Sequence, residues 1–245
     1  MIKAISFDFY NTLVQFWPPL DEVQQAACRE LGLHVPKEAI RQGYAVADVY
    51  FNEENALNSL GSRSAPDRSD FFARYEQIIL ETAQVPVSLG LAKQIWEMAM
   101  TIPKDFVPFE DTIPALAALR ERGYRLGVLS NLRRDMEQLC QQLGLAPYLD
   151  FCISPEEAGA EKPHPPMFLA ALEKAAVSAP EAVHVGDQYR SDVLGAQAVG
   201  MHGILLDREG WLDDVTDCPK IASLTELGSL LAGAPESLYT NHHKP

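Results

Sequence analysis

The feature that most constrains this fold is a series of short apolar runs separated by segments of helical period. The first run, KAISFDF, is too short for a helix and too continuous for a half-exposed strand, so it predicts a strand buried on both faces. Strands that alternate with helices predict an α/β fold, a three-layer Rossmann-like core with a doubly wound parallel sheet. Further strands are predicted at 124–131, 150–154, 182–188 and 202–207, and helices at 112–122, 133–143, 165–176 and 191–199.

The stretch from 16 to 104 breaks this alternation. Pro18 and Pro19 exclude a continuing strand, and the segments that follow have helical period only. We therefore expect an inserted α-helical cap domain, with linkers near 15–20 and 102–108 and helices near 21–31, 37–59, 68–83 and 88–100. The predicted domains are a core at 1–15 and 105–235, a cap at 16–104 and a C-terminal tail at 236–245.

Composition narrows the class of partner. A net charge of -14 opposes the phosphate contacts that nucleic-acid binding needs, although a cleft can still bind a small anion. No apolar run reaches the ~18 residues of a membrane span. The four cysteines form no CxxC pair and no zinc-type spacing, which indicates reduced thiols. We expect a cytoplasmic protein that binds neither nucleic acid nor membrane.

Polar residues stand where the predicted strands end. Asp8, Ser130 with Asn131, and Asp187 follow three of these runs, and Lys162 lies in the loop EKPHPP. Taken singly, each has a simpler interpretation as a turn former, a helix cap or a solvated charge. Ligands of a doubly wound sheet bind at the carboxyl ends of its strands, so the four features together predict one site.

These segments carry a family resemblance. DFYNT, VLSN, EKPHP and VGDQYRSD resemble, in this order, the four motifs of the haloacid dehalogenase-like hydrolase superfamily. Members of that superfamily often insert an α-helical cap between the first and second motifs, which is where the helical stretch lies here. The resemblance implies that Asp8 is a catalytic nucleophile that forms a covalent aspartyl intermediate, later hydrolysed by water.

The resemblance also implies how substrate is bound. Lys162 would supply a fixed positive charge, and Thr12, the Ser130 hydroxyl and the Asn131 backbone would contact the substrate. If the substrate is a phosphate ester, such groups act by positioning and by neutralising the charge on the phosphate oxygens.

A magnesium site is implied by the same resemblance. Asp8 and Asp187 would bind Mg²⁺ together with the backbone carbonyl of Tyr10, because Mg²⁺ prefers oxygen ligands and bridges neighbouring carboxylates. Asp192 would hold a metal-bound water or Lys162, and its alternative is an ordinary helix cap.

Tyr10 departs from the phosphatase pattern. Most phosphatases of this superfamily carry there a second aspartate that protonates the leaving group, whereas a tyrosine, with a pKa of about 10, is poorly suited to that work. The 2-haloacid dehalogenase branch carries tyrosine at this place and also an arginine in its cap. Arg41 matches that arginine, although it could equally be solvent-exposed or bind a phosphate or carboxylate.

The fourth motif favours the opposite branch. GDQYRSD keeps the acid that binds magnesium in phosphatases, whereas the fourth motif of metal-free dehalogenases resembles SSNxxD. Our first prediction is a Mg²⁺-dependent phosphatase acting on a small, anionic phosphorylated metabolite. The alternatives are a 2-haloacid dehalogenase and a catalytically weak protein that binds a phosphorylated ligand. Most cap aromatics are expected to be cap core and the rest to line a pocket: Tyr44, Tyr50, Phe51, Phe71, Phe72, Tyr75 and Trp96.

Overall fold

The computed structural model describes residues 1–233, and these form two compact units. The first unit contains Met1–Gln15 and the chain from Phe106 onward, and the second contains Phe16–Asp105. The tail predicted at 236–245 lies outside the described residues.

A parallel six-stranded sheet forms the centre of the first unit. The strands of the described chain are β1 (Ala4–Phe7), β2 (Val14–Trp17), β3 (Asp105–Pro108), β4 (Arg125–Leu129), β5 (Phe151–Ile153), β6 (Ala182–Gly186), β7 (His202–Leu206) and β8 (Lys220–Ile221). The sheet order is β5-β4-β1-β6-β7-β8, and every neighbouring pair is parallel. Helices flank this sheet, which confirms the Rossmann-like α/β fold. Strand order reverses around β1, the position at which such sheets bind ligands.

Helices account for most of the remaining described chain. They are α1 (Leu20–Glu30), α2 (Lys37–Leu57), α3 (Ala65–Thr82), α4 (Leu89–Thr101), α5 (Thr112–Glu121), α6 (Met136–Gln142), α7 (Pro155–Ala158), α8 (Pro165–Ala175), α9 (Gly195–Ala198) and α10 (Leu227–Gly233). The first four belong to the second unit and the others to the first. Within residues 1–233, none of these helices is both long and apolar enough to cross a bilayer.

Two apolar clusters bury the sheet. One includes Phe7, Phe9 and Leu116, and the other is built around Phe168 and Met167 of α8. All four residues of β1 are buried, as expected for a strand covered on both faces. Because β1 is an inner strand of the sheet, Asp8, which directly follows β1, lies at the carboxyl end of a central strand.

Several element predictions need correction. The linkers predicted near 15–20 and 102–108 overlap β2 and β3, which pair as a two-stranded sheet. Each has only four residues, too few for a period of two to be recognised. The helix predicted at 191–199 begins earlier, as a π-helical turn at Tyr189–Leu194 that continues into α9. Neither β8 nor α10 was predicted.

The second unit is a set of four helices with an aliphatic core. Ile40, Ile79, Leu80 and Ile95 are fully buried in it. Of the seven cap aromatics, Phe71 is buried and the other six are partly buried, with Tyr44 and Tyr75 packed against the aliphatic core. Their rings contact one another along the unit, as in the stacked pair of Phe72 and Trp96.

Candidate active site

Three neighbouring strands deliver the predicted polar residues to one edge of the sheet. Asp8 follows β1, Ser130 follows β4 and Asp187 follows β6, and β1 lies between the other two strands. Since parallel strands end on the same side, these residues converge although they are distant in sequence.

Lys162 joins two of the acids. Its Nζ lies 2.5 Å from Oδ1 of Asp8 and 2.6 Å from Oδ1 of Asp192. The residue is only 4% exposed, so both contacts are formed almost without water. Burial alone would lower the pKa of the Lys162 ammonium, but the carboxylates of Asp192 and Asp8 outweigh it and raise that pKa. Lys162 is therefore a fixed positive charge.

The backbone of Lys162 is held by Asn131. Oδ1 of Asn131 accepts from the Lys162 N–H at 2.7 Å, and Nδ2 donates to the Lys162 carbonyl at 3.0 Å. This side-chain role differs from the backbone role that the resemblance implies for Asn131. The sequence shows the residue type but not its partner in the next loop.

Asp192 is bonded on both carboxylate oxygens. Oδ2 accepts from the Gln188 N–H at 3.0 Å, and Oδ1 contacts Nε2 of His184 at 3.2 Å in addition to Lys162. Burial alone would raise the pKa of Asp192, but the Lys162 ammonium and the His184 hydrogen bond hold it below its usual range. Asp192 thus both caps the local backbone turn and holds Lys162, which joins the two interpretations made from sequence.

His184 is a site residue that the sequence reasoning missed. It is fully buried on β6, and its Nδ1 lies 2.9 Å from the Ser6 hydroxyl. Burial lowers the pKa of His184, so its ring is neutral at pH 7. A neutral ring that donates from Nε2 to Asp192 accepts at Nδ1, from Ser6. The only signal was a polar residue inside the apolar run AVHVG.

Asp8 has a raised pKa. Burial raises the pKa of its carboxyl group to about 6, the Lys162 ammonium opposes that rise, and Asp192 adds to it. Asp8 and Asp192 therefore share the single ammonium of Lys162. Because one positive charge does not neutralise two carboxylates, an additional cation would be favourable at this site.

The donor set suits a divalent cation. Asp8, Asp187 and Asp192 each offer a carboxylate oxygen, and these three oxygens lie within 4.8 Å of one another. Lys162 supplies one positive charge against three carboxylates. Hard oxygen ligands with excess negative charge are what Mg²⁺ binds in proteins, so the residues present fit a magnesium site.

The chain leaves β1 through a tight turn. The carbonyl of Phe9 accepts from the N–H groups of Leu13 (2.9 Å) and Val14 (3.0 Å). Asn11 has φ of 60°, a left-handed conformation that asparagine tolerates better than most residues. Thr12 in this turn is fully buried, and its hydroxyl oxygen has no hydrogen-bond partner within the described chain.

The remaining predicted residues are distributed as follows. Ser130 is buried, and its hydroxyl oxygen accepts from the Leu132 N–H at 3.2 Å, which leaves its proton available to a ligand. Arg41 belongs to the second unit, where its guanidinium contacts Glu38 at 2.8 Å and Asp21 at 3.7 Å. Its role in substrate binding stays a prediction.

Comparison with known proteins decides the family. The family model of haloacid dehalogenase-like hydrolases matches residues 2–200. The chain belongs to this hydrolase family. The family resemblance and the hydrolase activity predicted from the motifs are therefore confirmed.

Two curated relatives and two solved structures are particularly similar to this chain. The chain is 31% identical to haloacid dehalogenase-like hydrolase domain-containing protein 3 of Mus musculus, over 94% of this chain and 92% of that protein. It is 30% identical to ribulose-1,5-bisphosphate 5-phosphatase of Halopiger xanaduensis, over 84% and 85%. A HAD phosphatase from Thermococcus onnurineus matches with a TM-score of 0.57 at 27% identity, over 95% and 99%. A 2-haloacid dehalogenase from Pseudomonas syringae matches with a TM-score of 0.54 at 28% identity, over 95% and 99%.

Proposed function

We propose that this hydrolase is a Mg²⁺-dependent phosphatase that acts on a small phosphorylated metabolite through a phosphoaspartyl intermediate on Asp8. The observation that carries this proposal is the cluster of the Asp8, Asp187 and Asp192 carboxylates, of which Asp8 and Asp192 contact the buried ammonium of Lys162. Similarity to a phosphatase of a sugar bisphosphate supports the same substrate class. The unpaired cysteines agree with a cytoplasmic protein, and the helical second unit would act as the cap.

Asp8 and Asp187 are the proposed magnesium ligands, with the Tyr10 carbonyl as a third. Asp192 is assigned a supporting role because both of its oxygens already bond within the protein. When bound, Mg²⁺ supplies positive charge that lets an anionic phosphate approach the carboxylates.

The protein groups then act in two steps. In the first, an oxygen of Asp8 attacks phosphorus and the ester bond to the leaving oxygen breaks, which gives an acyl phosphate. In the second, water hydrolyses that acyl phosphate, releases phosphate and regenerates the carboxylate. Lys162 fixes the rotamer of Asp8 and adds positive charge beside the transferring group, while the Ser130 hydroxyl and the buried Thr12 hydroxyl offer hydrogen bonds to its oxygens.

A 2-haloacid dehalogenase is the second candidate, favoured by Tyr10. A halide leaves without a proton, so a tyrosine in place of the second aspartate costs that reaction nothing in its first step. The carboxylate cluster argues against it, because an unneutralised Asp187 would repel an anionic haloacid.

The discriminating experiment is a substrate panel. Phosphate monoesters of small sugars and trioses, p-nitrophenyl phosphate and 2-chloroacids are assayed with Mg²⁺ and with excess chelator. We expect phosphate release that needs Mg²⁺ and no chloride release. Chloride release in chelator would instead establish the dehalogenase. Phosphate-ester binding without turnover under any metal condition would establish the weak binding protein.

The nucleophile is tested separately by Asp8→Asn. We expect loss of turnover and of the phosphorylated enzyme seen by intact mass spectrometry after acid quench, with an unchanged circular dichroism spectrum. Asp213→Asn, at an exposed site in the loop after β7, is the matched control and should retain full activity. Turnover by purified Asp8→Asn would remove the assignment of Asp8.

A further inference from the structure

The turn from Phe9 to Val14 directly follows Asp8 and contains Tyr10 and Thr12. Its last carbonyl groups accept a second set of hydrogen bonds, from donors outside the turn. The carbonyl of Leu13 accepts from the hydroxyl of Thr112 at 2.7 Å and from the N–H of Phe109 at 3.1 Å. The preceding carbonyl, that of Thr12, accepts from Nη2 of Arg208 at 2.9 Å. The turn is therefore fixed to the start of α5 and to the chain after β7.

Arg208 is itself rigidly placed. Nη1 and Nη2 donate to Oδ2 and Oδ1 of Asp111 at 2.9 and 3.0 Å, a bidentate pair of two parallel hydrogen bonds. The guanidinium also lies over the ring of Phe109, 4.0 Å from its centre. Both charged side chains are mostly buried, with 19% and 15% of their surfaces exposed.

Asp111 connects this pair to a third segment. Its Oδ2 accepts from the Ser223 hydroxyl at 2.8 Å and from the Leu224 N–H at 2.9 Å. Burial alone would raise the pKa of Asp111, but the hydrogen bonds from Arg208, Ser223 and Leu224 lower it, so the group stays ionised at pH 7. An ionised, fully bonded carboxylate leaves Arg208 little freedom to move.

We propose that Arg208 and Asp111 form a positioning pair that holds the turn from Phe9 to Val14, and with it the Asp8 carboxylate and the Tyr10 carbonyl, in the geometry needed for catalysis. The proposal rests on the proposed phosphatase function for its kinetic consequences only. Neither residue contacts the reacting atoms. Their effect would be on the precision of the site, where a displacement of about 1 Å can cost roughly a hundredfold in rate.

The first test is hydrogen exchange of the turn, which does not depend on activity. We compare the full-length protein with Arg208→Ala and with the control Arg122→Ala. Arg122 also donates to a backbone carbonyl, that of Gly228 at 2.6 Å, but ties α5 to α10. We expect a peptide covering residues 9–14 to exchange at least about tenfold faster in Arg208→Ala and at the native rate in Arg122→Ala. Native exchange in both variants would overturn the proposal.

The second test is kinetic and uses chemical rescue. Arg208→Ala should lower kcat about tenfold or more with little change in KM, and millimolar guanidinium should restore much of kcat, whereas methylammonium should not. If Arg208 had only a structural role, Arg208→Ala would contain a smaller fraction of folded protein, and guanidinium would restore kcat no better than methylammonium. An unchanged kcat, or rescue by neither cation, would overturn the proposal.

Two further variants keep the test decisive if Arg208→Ala folds poorly. Arg208→Lys keeps the charge but loses the bidentate pair, and Asp111→Asn keeps the shape of the partner. Both should speed exchange in the turn and lower kcat. If the wild-type protein shows no turnover on the substrate panel, the proposed function fails, and the exchange measurement still decides whether the pair holds the turn.

Discussion

The side chain of Asn131 binds the backbone of Lys162 on both sides, accepting from its N–H at 2.7 Å and donating to its carbonyl at 3.0 Å. The two residues come from different loops, one after β4 and one before α8. Because both backbone groups are fixed, the Lys162 side chain leaves the chain in one direction, and its ammonium reaches Asp8 and Asp192. Asn131 thereby determines where the positive charge of the site is placed.

Removal of this clamp should impair catalysis more than stability. Asn131→Ala loses both hydrogen bonds, which we expect to cost about 1–3 kcal/mol of unfolding free energy and to lower kcat at least tenfold through misplacement of Lys162. Steady-state kinetics and urea denaturation measure the two effects. Asn58→Ala removes an acceptor of the Ser62 hydroxyl in the second unit and is the control, with native kcat expected. A native kcat in Asn131→Ala would contradict the assigned role.

Gly186 should tolerate no side chain, because Asp192 packs directly against it. A Cβ at this position would lie 2.1 Å from Oδ2 of Asp192, far inside contact distance. Gly186→Ala should therefore displace Asp192 from Lys162, reduce kcat at least tenfold and destabilise the protein by about 1–3 kcal/mol.

The control for this substitution is Gly90→Ala in α4, where an added Cβ would lie 4.0 Å from Oγ of Ser88, an ordinary contact distance. An alanine there should stabilise the helix by roughly 0.5–1 kcal/mol and leave kcat unchanged. Equal activity of the two variants would show that the packing of Asp192 on Gly186 does not matter for the reaction.

Tyr10→Asp should make kcat/KM depend less on the basicity of the leaving group. A carboxyl group at this position can protonate the leaving oxygen, an effect worth roughly a hundredfold to ten-thousandfold where the leaving group is a strong base. We expect a large gain in kcat/KM for alkyl phosphates and a small one for p-nitrophenyl phosphate. Tyr10→Phe is the control and should give no gain. A gain of the same size for both substrates would argue against proton donation.

Stability of the second unit should fall as pH rises, because of Glu76. This residue is 1% exposed, accepts a hydrogen bond from Gln24, and burial raises its pKa from the ordinary value of 4.5 to about 8. The folded form therefore binds more protons than the unfolded form between these values, so stability is lost as pH rises through this window. Between pH 6.5 and 8.5 the loss should be roughly 2 kcal/mol.

Urea denaturation followed by tryptophan fluorescence at several pH values measures this loss. Glu76→Gln should flatten the dependence over that range, whereas Glu97→Gln, at an exposed position on α4, should leave it unchanged. The same slope in wild-type protein and Glu76→Gln would refute the assignment to Glu76. Asp48, whose pKa burial raises to about 6, would contribute mainly below this range.

The sequence alone predicted five of the six strands of the central sheet and the acids that follow two of them. Short apolar runs encode buried strands locally, and Asp8 and Asp187 directly follow such runs, so their convergence follows from the geometry of parallel sheets. The brief strands β2 and β3 were beyond this reasoning, because four residues carry too little periodicity. Helical spacing placed the cap aromatics on inward faces but could not show how deeply each ring is buried, and only Phe71 is fully inside.

The contacts that set the geometry of the site were decided by tertiary structure. Asn131 bonds to Lys162, and Arg208 bonds to both Thr12 and Asp111, across long stretches of sequence, whereas His184 bonds to the nearby Asp192 only because the turn after β6 folds back. Hydrogen bonds of this kind depend on side-chain direction to within tens of degrees and on distance to within fractions of an ångström. The sequence shows which residues are present and how far apart they are along the chain, but not these directions and distances. They are set only when the order of the strands brings the loops together.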